Sequence, residues 1–364
     1  MKAIGTMSGT SMDGVDVALI ETDGERILSL GPSGYRPYSD AERATLRQAL
    51  SDAVQLTARD QRPGALAAAE RLVTDAHRDA VKTFVAEHNI EPRDVAVVAF
   101  HGQTVLHRPA DRLTVQIGDG AALARALAMP VVSDLRGADV AAGGQGAPLV
   151  PAYHRALVRT LDREGPVVVV NIGGVGNISY IDGETLIACD TGPGNALLDD
   201  FMQRMTGSAV DRDGARAARG RVDEGWIASV LAQPFFAKPP PKSLDRNDFA
   251  HLTLPDMSVE DGAATLTALT AASIAHIASK LPRRPNGWIV VGGGANNPTM
   301  LRMLAERVRP ARVERAADLG WQGDAIEAQA FGFLAVRSLK GLPLTFPSTT
   351  GVPTPLTGGV LAKP

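Results

Sequence analysis

Twice in this chain, about half its length apart, a short apolar run breaks into a glycine-rich turn and resumes as a second apolar run. The first unit is Met1–Ile4, then G-T-M-S-G-T-S-M-D-G-V-D over residues 5–16, then Val17–Ile20. The second is Pro166–Ile172 followed by Gly173, Gly174, Val175, Gly176, Asn177 and a run to Tyr180. Each reads as strand, tight turn, strand, because glycine takes positive φ freely and lets backbone N–H groups approach an anion. Recurrence of the unit predicts two similarly built domains facing each other across a cleft.

The first turn carries four hydroxyls, Thr6, Ser8, Thr10 and Ser11, as further donors. Asp13 and Asp16 are out of place beside a phosphate unless a divalent cation lies between. The turn therefore reads as a phosphate-gripping hairpin with a metal nearby, set against an ordinary Gly/Ser hairpin loop. A third apolar run, Gly287–Val291, enters Gly292-Gly293-Gly294-Ala295-Asn296-Asn297, and Pro298 then opens a helix. Successive glycines let a flat ring lie on bare backbone, and the asparagines could bond to a base, a ribose or the helix start. Neither a P-loop nor a dinucleotide-binding G-x-G-x-x-G unit occurs.

Other strand ends hold the polar candidates. Val95–Phe100 ends in His101, Gly102, Gln103 and Thr104, where open α/β sheets place ligands. These read as substrate contacts, or His101 as a strand-end cap; His107, Arg108 and Arg112 read as a solvated turn. Arg136, in a Gly/Ala-rich crossover between domains, either pairs with Asp139 or holds a substrate carboxylate with its planar fork. Leu186–Asp190 reads as a strand ending in D-T-G-P-G-N. Asn195 would cap the next helix, whose N–H groups could face an anion. Asp190 is the candidate general base, or else a turn cap. Residues 211–223 read as a solvated loop or lid. The Pro-rich stretch 235–248 is expected to be neither helix nor central strand. Helices are expected over 63–88, 261–281 and 324–339, the last carrying Glu327; the tail 341–364 has no predicted place.

At 364 residues the chain is long enough for two domains. A net charge of −3 leaves no electrostatic footprint for nucleic acid or an anionic membrane. The single cysteine, Cys189, excludes an internal disulfide and a Cys-based zinc site. With no continuously apolar run of membrane-spanning length and no basic leader at its start, the expected location is the cytoplasm. No membrane or nucleic-acid partner is expected, and a homodimer is left open.

Two phosphate hairpins and a later Gly-Gly-Gly turn resemble the layout of the actin-like ATPase superfamily of sugar kinases, Hsp70-type chaperones and actin. More closely, the chain resembles the 1,6-anhydro-N-acetylmuramic acid kinase family, through residues 5–16, H-G-Q-T-V-L-H-R-P from His101, G-G-Q-G-A-P-L from Gly143, N-I-G-G-V-G-N-I-S from Asn171, D-T-G-P-G-N from Asp190 and G-G-G-A-N-N from Gly292. The resemblance implies an α/β fold of two actin-like (ribonuclease H-like) ATPase domains flanking a nucleotide cleft. The expected domains are residues 1–135, with 341–364 as a candidate addition, and 136–340. It implies an ATP-dependent kinase that opens the 1,6-anhydro ring and phosphorylates O6, in peptidoglycan recycling and amino-sugar metabolism. ATP would be held by Gly9, Thr10, Ser11, Met12, Asp13, Gly14, Val15 and Asp16, by Asn171, Gly173, Gly174, Gly176 and Asn177, and by Gly292, Gly293, Gly294 and Asn296. Mg2+ would sit at Asp13. Asp190 would be the base, and His101, Gly102, Gln103, Arg136 and Glu327 would contact the sugar. Two other readings compete: another small-molecule kinase of the superfamily, and a nucleotide-gated binding protein of the actin or Hsp70 kind.

Overall fold

The apolar runs flanking the first glycine turn form the antiparallel pair β1 (Lys2–Met7) and β2 (Gly14–Thr22), in register from Lys2 opposite Glu21 to Met7 opposite Asp16. In the computed structural model, which describes residues 1–9, 11–245 and 248–364, β3 (Ile27–Pro37) extends this meander. Helices α1 (Asp40–Ala53) and α2 (Leu66–Glu87) follow. The cap of α1 is Ser39, in a reciprocal capping box with Glu42. Next, β4 (Val95–Phe100) lies parallel to β1. The hairpin β5 (Gln103–Arg108) and β6 (Leu113–Ile117) forms a small sheet of its own. After α3 (Gly120–Leu127), β7 (Val131–Ser133) adds parallel to β4. Helices α4 (Gly137–Ala141) and α5 (Pro151–Val158) end this leg.

The chain then builds a second compact unit over residues 162–324. Its first strands are again an antiparallel meander, β8 (Val167–Ile172), β9 (Val175–Asp182) and β10 (Thr185–Pro193). Helices α6 (Ala196–Thr206), α7 (Glu224–Leu231), α8 (Pro234–Ala237) and α9 (Val259–His276) follow. Strand β11 (Gly287–Val291) runs parallel to β8, and after α10 (Pro298–Val308), β12 (Arg312–Arg315) runs parallel to β11. The sheet order is β10-β9-β8-β11-β12. By length and composition Val259–Lys280 could cross a membrane, yet 78% of that window is buried inside the unit. Its Ala, Gly and Thr residues let it serve as the core helix here, with every residue from Gly262 to Ile274 buried.

The last leg returns to the first unit, which comprises residues 1–161 and 325–364. Helix α11 (Ile326–Leu339) lies on β1, β2 and β4. A short turn α12 (Pro347–Thr350) and strand β13 (Val360–Ala362) finish the chain, β13 pairing antiparallel with β7. This sheet reads β13-β7-β4-β1-β2-β3. In each unit, then, a three-stranded meander carries on its inner strand two further strands parallel to that strand.

Several expectations differ from this arrangement. The division falls after residues 161 and 324, not after 135 and 340. The apolar face of α11 is legible in the sequence, but the sheet it covers is not. The loop 211–223 is solvated along much of its length, with Arg212, Asp213, Ala215, Ala218, Arg219 and Arg221 exposed, but it is pinned at Asp211, Gly214 and Ala217, which are buried. Asp211, 7% exposed, accepts from the backbone N–H groups of Arg216 and Ala217, and Thr299 Oγ1 donates to Gly214 O. The Pro-rich stretch begins as the helical turn α8, because Pro234 fills a first-turn position where no N–H is needed.

Candidate functional site

In the first unit, the β1–β2 turn is braced from beneath. Ser8, fully buried, donates to Gln103 Oε1 at 2.6 Å and shares a 3.1 Å bond with the Tyr38 hydroxyl. Gln103 Nε2 donates to Gly9 O at 3.1 Å. Both ends of the Gln103 amide are thus taken up by the hairpin, and the residue is 1% exposed. Gln103 shapes the turn, where a sugar contact was expected. Met12 takes a left-handed φ of 53° and donates its N–H to Gly9 O at 3.1 Å, which closes the turn. Asp13 is exposed; its Oδ1 accepts from Ser11 Oγ at 2.8 Å and from Gly14 N at 3.0 Å. Gly14 is buried because a Cβ there would strike the Arg36 carbonyl and the Tyr35 ring, and the Val15 side chain is in the core. Those two residues support the hairpin and offer a ligand backbone at most. Asp16 is half-buried on β2 opposite Met7. Thr10 lies outside the described residues.

Beside this turn is a cavity of about 420 Å3, lined among others by Ser11, His101, Thr104, His107, Arg136 and Glu327. His101 Nδ1 donates to Gly102 O at 2.9 Å, so Nε2 is the acceptor. Arg136 points Nε and Nη2 at that nitrogen, at 3.3 and 3.2 Å, and Nη1 donates to Gly146 O at 2.8 Å. Burial, then the adjacent Arg136 charge, hold the His101 pKa down at about 3, so the ring stays neutral. Burial also lowers Arg136 to about 10, so it stays charged near neutral pH, and each terminal nitrogen keeps an N–H for a ligand. Glu327 opens into the cavity from the first turn of α11; loss of solvent raises its pKa, and Arg136 opposes that rise. No ion pair joins Arg136 to Asp139 among the described residues. The Asp139 carboxylate instead accepts from Gly146 N at 2.6 Å and Thr350 Oγ1 at 2.7 Å. His107, expected in a solvated turn, is on β5, where Nδ1 meets Thr114 Oγ1 at 2.9 Å, and it lines the cavity.

In the second unit, the β8–β9 turn docks on the start of α6. Gly194 N and Ala196 N donate to Gly174 O at 3.0 and 3.3 Å, and Asn195 N donates to Gly173 O at 2.7 Å. The Asn195 side chain does not cap the helix; its Nδ2 donates to Ile172 O at 3.2 Å. The N–H groups expected to face an anion from 194 to 196 therefore hold the glycine turn in place. Gly174 is left exposed, while Asn171, Gly173 and Asn177 are partly so. Gly176 is buried against Thr191. In the third turn Gly292 and Gly293 are open, Gly294 packs on Ile172, Asn296 is exposed, and Asn297 caps α10 by accepting from Met300 N at 3.0 Å.

Asp190 sits within β10, not at its end, just before an irregularity in pairing with β9. Thr191 is the extra residue, and such bulges re-aim neighbouring side chains. Its Oδ2 accepts from Leu244 N at 2.7 Å and its own N–H donates to Lys242 O at 2.9 Å. Burial pushes its pKa up to about 6, opposed by the Leu244 hydrogen bond and the Lys242 charge. Lys242 and Leu244 were not legible as site residues, since only the fold brings the Pro-rich segment to β10.

A strand order repeated in two units, each with a glycine turn at the head of its central strand, is the actin-like fold. Residues 1–363 match the profile of the anhydro-N-acetylmuramic acid kinase family, and the chain belongs to that family. Relatives of that name from Rhodopseudomonas palustris (strain BisB18) and Bradyrhizobium diazoefficiens are 67% and 68% identical, each over 365 residues and the whole of both chains. A relative from Methylobacterium nodulans, also spanning both chains, is 54% identical. Among solved structures, a ROK family glucokinase from Streptomyces griseus in complex with glucose and AMPPNP is 17% identical, with a TM-score of 0.42 over 92% of this chain and 99% of that one.

Proposed function

We propose that this chain is an ATP-dependent kinase that opens the anhydro bridge of 1,6-anhydro-N-acetylmuramic acid with water and phosphorylates O6. The product would be N-acetylmuramic acid 6-phosphate, for reuse of peptidoglycan amino sugars in the cytoplasm. The observation that carries this reading is the match along 1–363 to a family of that name. The chemistry of the candidate residues supports it. Water forms its bond to C1 as the C1–O6 bond breaks, and Asp190 accepts the water proton. A base is most effective with a pKa near the working pH, and Asp190 at about 6 is mostly ionised at neutrality. The O6 electron pair takes the γ-phosphoryl group as its bond to ADP breaks. That capture replaces the second carboxyl group a glycosidase uses to protonate its leaving oxygen.

In this reading the β1–β2 turn and the open glycines at 174, 292 and 293 bind nucleotide, and Arg136 and Glu327 bind the sugar, with His101, both ring nitrogens engaged, holding the Arg136 fork. Arg136, with N–H groups to spare, suits the lactyl carboxylate. For Mg2+ the donor set is apt. Asp13 offers an exposed carboxylate, and no group of three or more His, Cys, Asp or Glu able to hold a metal occurs among the described residues. Mg2+ takes one or two carboxylates and completes its shell with phosphates and water. When bound it would offset phosphate charge. The test is turnover with ATP and the anhydro sugar in ¹⁸O-labelled water. The label is expected at C1 of a 6-phosphate; phosphorylation of ordinary hexoses alone would overturn the reading.

A further inference from the structure

The Pro-rich segment after α8 does more than connect two helices. It exchanges two hydrogen bonds with one residue of β10: Asp190 N donates to Lys242 O at 2.9 Å, and Leu244 N donates to Asp190 Oδ2 at 2.7 Å. The second bond fixes the rotation of the carboxylate, while no described residue bonds to Oδ1. The segment is itself anchored. Lys242 Nζ donates to Phe235 O at 3.1 Å and lies 4.1 Å from the centre of the Phe235 ring. Prolines 239 to 241 lack N–H groups and hold φ near one value, which stiffens the approach to Lys242.

We propose that Lys242–Leu244 is a positioning strap for Asp190, holding Oδ2 so that Oδ1 is presented to the water it deprotonates. This rests on the reading of Asp190 as the general base. The strap acts through two separable features. The Leu244 N–H sets carboxylate orientation. The Lys242 ammonium anchors the strap and favours the ionised form of Asp190. Other groups in reach do not substitute for it. Cys189, beside Asp190 on β10, is buried and its thiol is pushed up to about 12, hence neutral. Burial lowers His276 on α9. Lys238 and Lys280 face Lys242, and their charges lower its pKa.

The experiment compares Leu244→Pro, Lys242→Met, Lys242→Arg and Asp190→Asn in the full chain, reading kcat, KM for ATP and the acid limb of kcat/KM. Leu244→Pro and Lys242→Met each remove a group that favours the carboxylate. Both are expected to shift the acid limb to higher pH and to lower kcat by about ten- to a hundredfold, with KM for ATP unchanged. Lys242→Arg keeps the charge and is expected to restore the wild-type limb. If Leu244→Pro fails to fold by circular dichroism, Lys242→Met decides alone. Wild-type kcat and acid limb in the folded strap variants, with turnover abolished in Asp190→Asn, overturn the strap and leave the base in place. A fall in kcat without movement of the limb marks the segment as merely structural and also overturns the proposal. Near-normal turnover in Asp190→Asn removes the base, and the strap with it.

Discussion

His77 shows how a single buried side chain sets a condition on the whole protein. It is fully buried on α2, its Nδ1 bonds to Val73 O at 2.7 Å, its Nε2 has no partner among the described residues, and its ring meets Phe100 edge-on at 4.7 Å. Burial holds its pKa at about 4, against an ordinary 6.5. A folded pKa below the unfolded one means that the unfolded chain binds the extra proton first. The stability is therefore full above pH 6.5 and is lost as pH falls toward 4. His101 and His154, held at about 3 and 4, add losses of the same sign. Replacing His77 with Leu is expected to flatten stability against pH between 4 and 6.5 by about 1.4 kcal/mol per pH unit, read from urea melts at stepped pH. Unchanged slopes would refute this. At this scale residue types were legible in the sequence and partners were not. Asp190 was readable as a strand-associated acid before a glycine turn. That Gln103 is occupied by Ser8 and Gly9, some 95 residues away, required the fold.

Elements were legible wherever periodicity or glycine marks them, and illegible where two of them must approach. The crossing of β1 and α11 is the clearest instance. A Cβ on Gly5 would overlap the Ala328 carbonyl, and Gly332 on α11 lies against Gly5 and Ile20. The first glycine of the opening motif is therefore a packing residue, although in the sequence it belongs to the anion-gripping turn. Gly5→Ala must push α11 off the central strand. Overpacking of this kind costs about 1–3 kcal/mol or more. A downward shift of the denaturation midpoint is expected while Ser11→Ala, at an exposed position, leaves it unchanged. Equal midpoints for Gly5→Ala and wild type would contradict the crossing. The α6 terminus carries the same lesson. Helix starts attract anions in isolation, but here the nearest acceptors are the carbonyls of Gly173 and Gly174.

For the molecule as a whole, the presence of two similarly built units was legible from two glycine hairpins, while their strand order and boundaries were not. Residues 162–324 hold a complete five-stranded sheet and a core of their own around Trp288, Val290, Ile274 and Tyr180. That stretch is expected to fold alone, with a single cooperative urea transition. Residues 1–161 lack α11 over β1 and the edge strand β13, and are expected not to fold until 325–364 is supplied. A cooperative transition from 1–161 alone would reverse that expectation.

The return of the last forty or so residues to the first unit also has a meaning in time. A ribosome delivers the chain from Met1 onward, and domains ordinarily fold in the order they emerge. Here the second unit is complete while the first still waits for its covering helix, so the unit synthesised first is finished last. The exposed β1–β2–β3 meander must stay unaggregated through the synthesis of everything between. Nascent-chain arrest after residue 324 should capture that half-built state, with the later unit protease-resistant and the earlier one not.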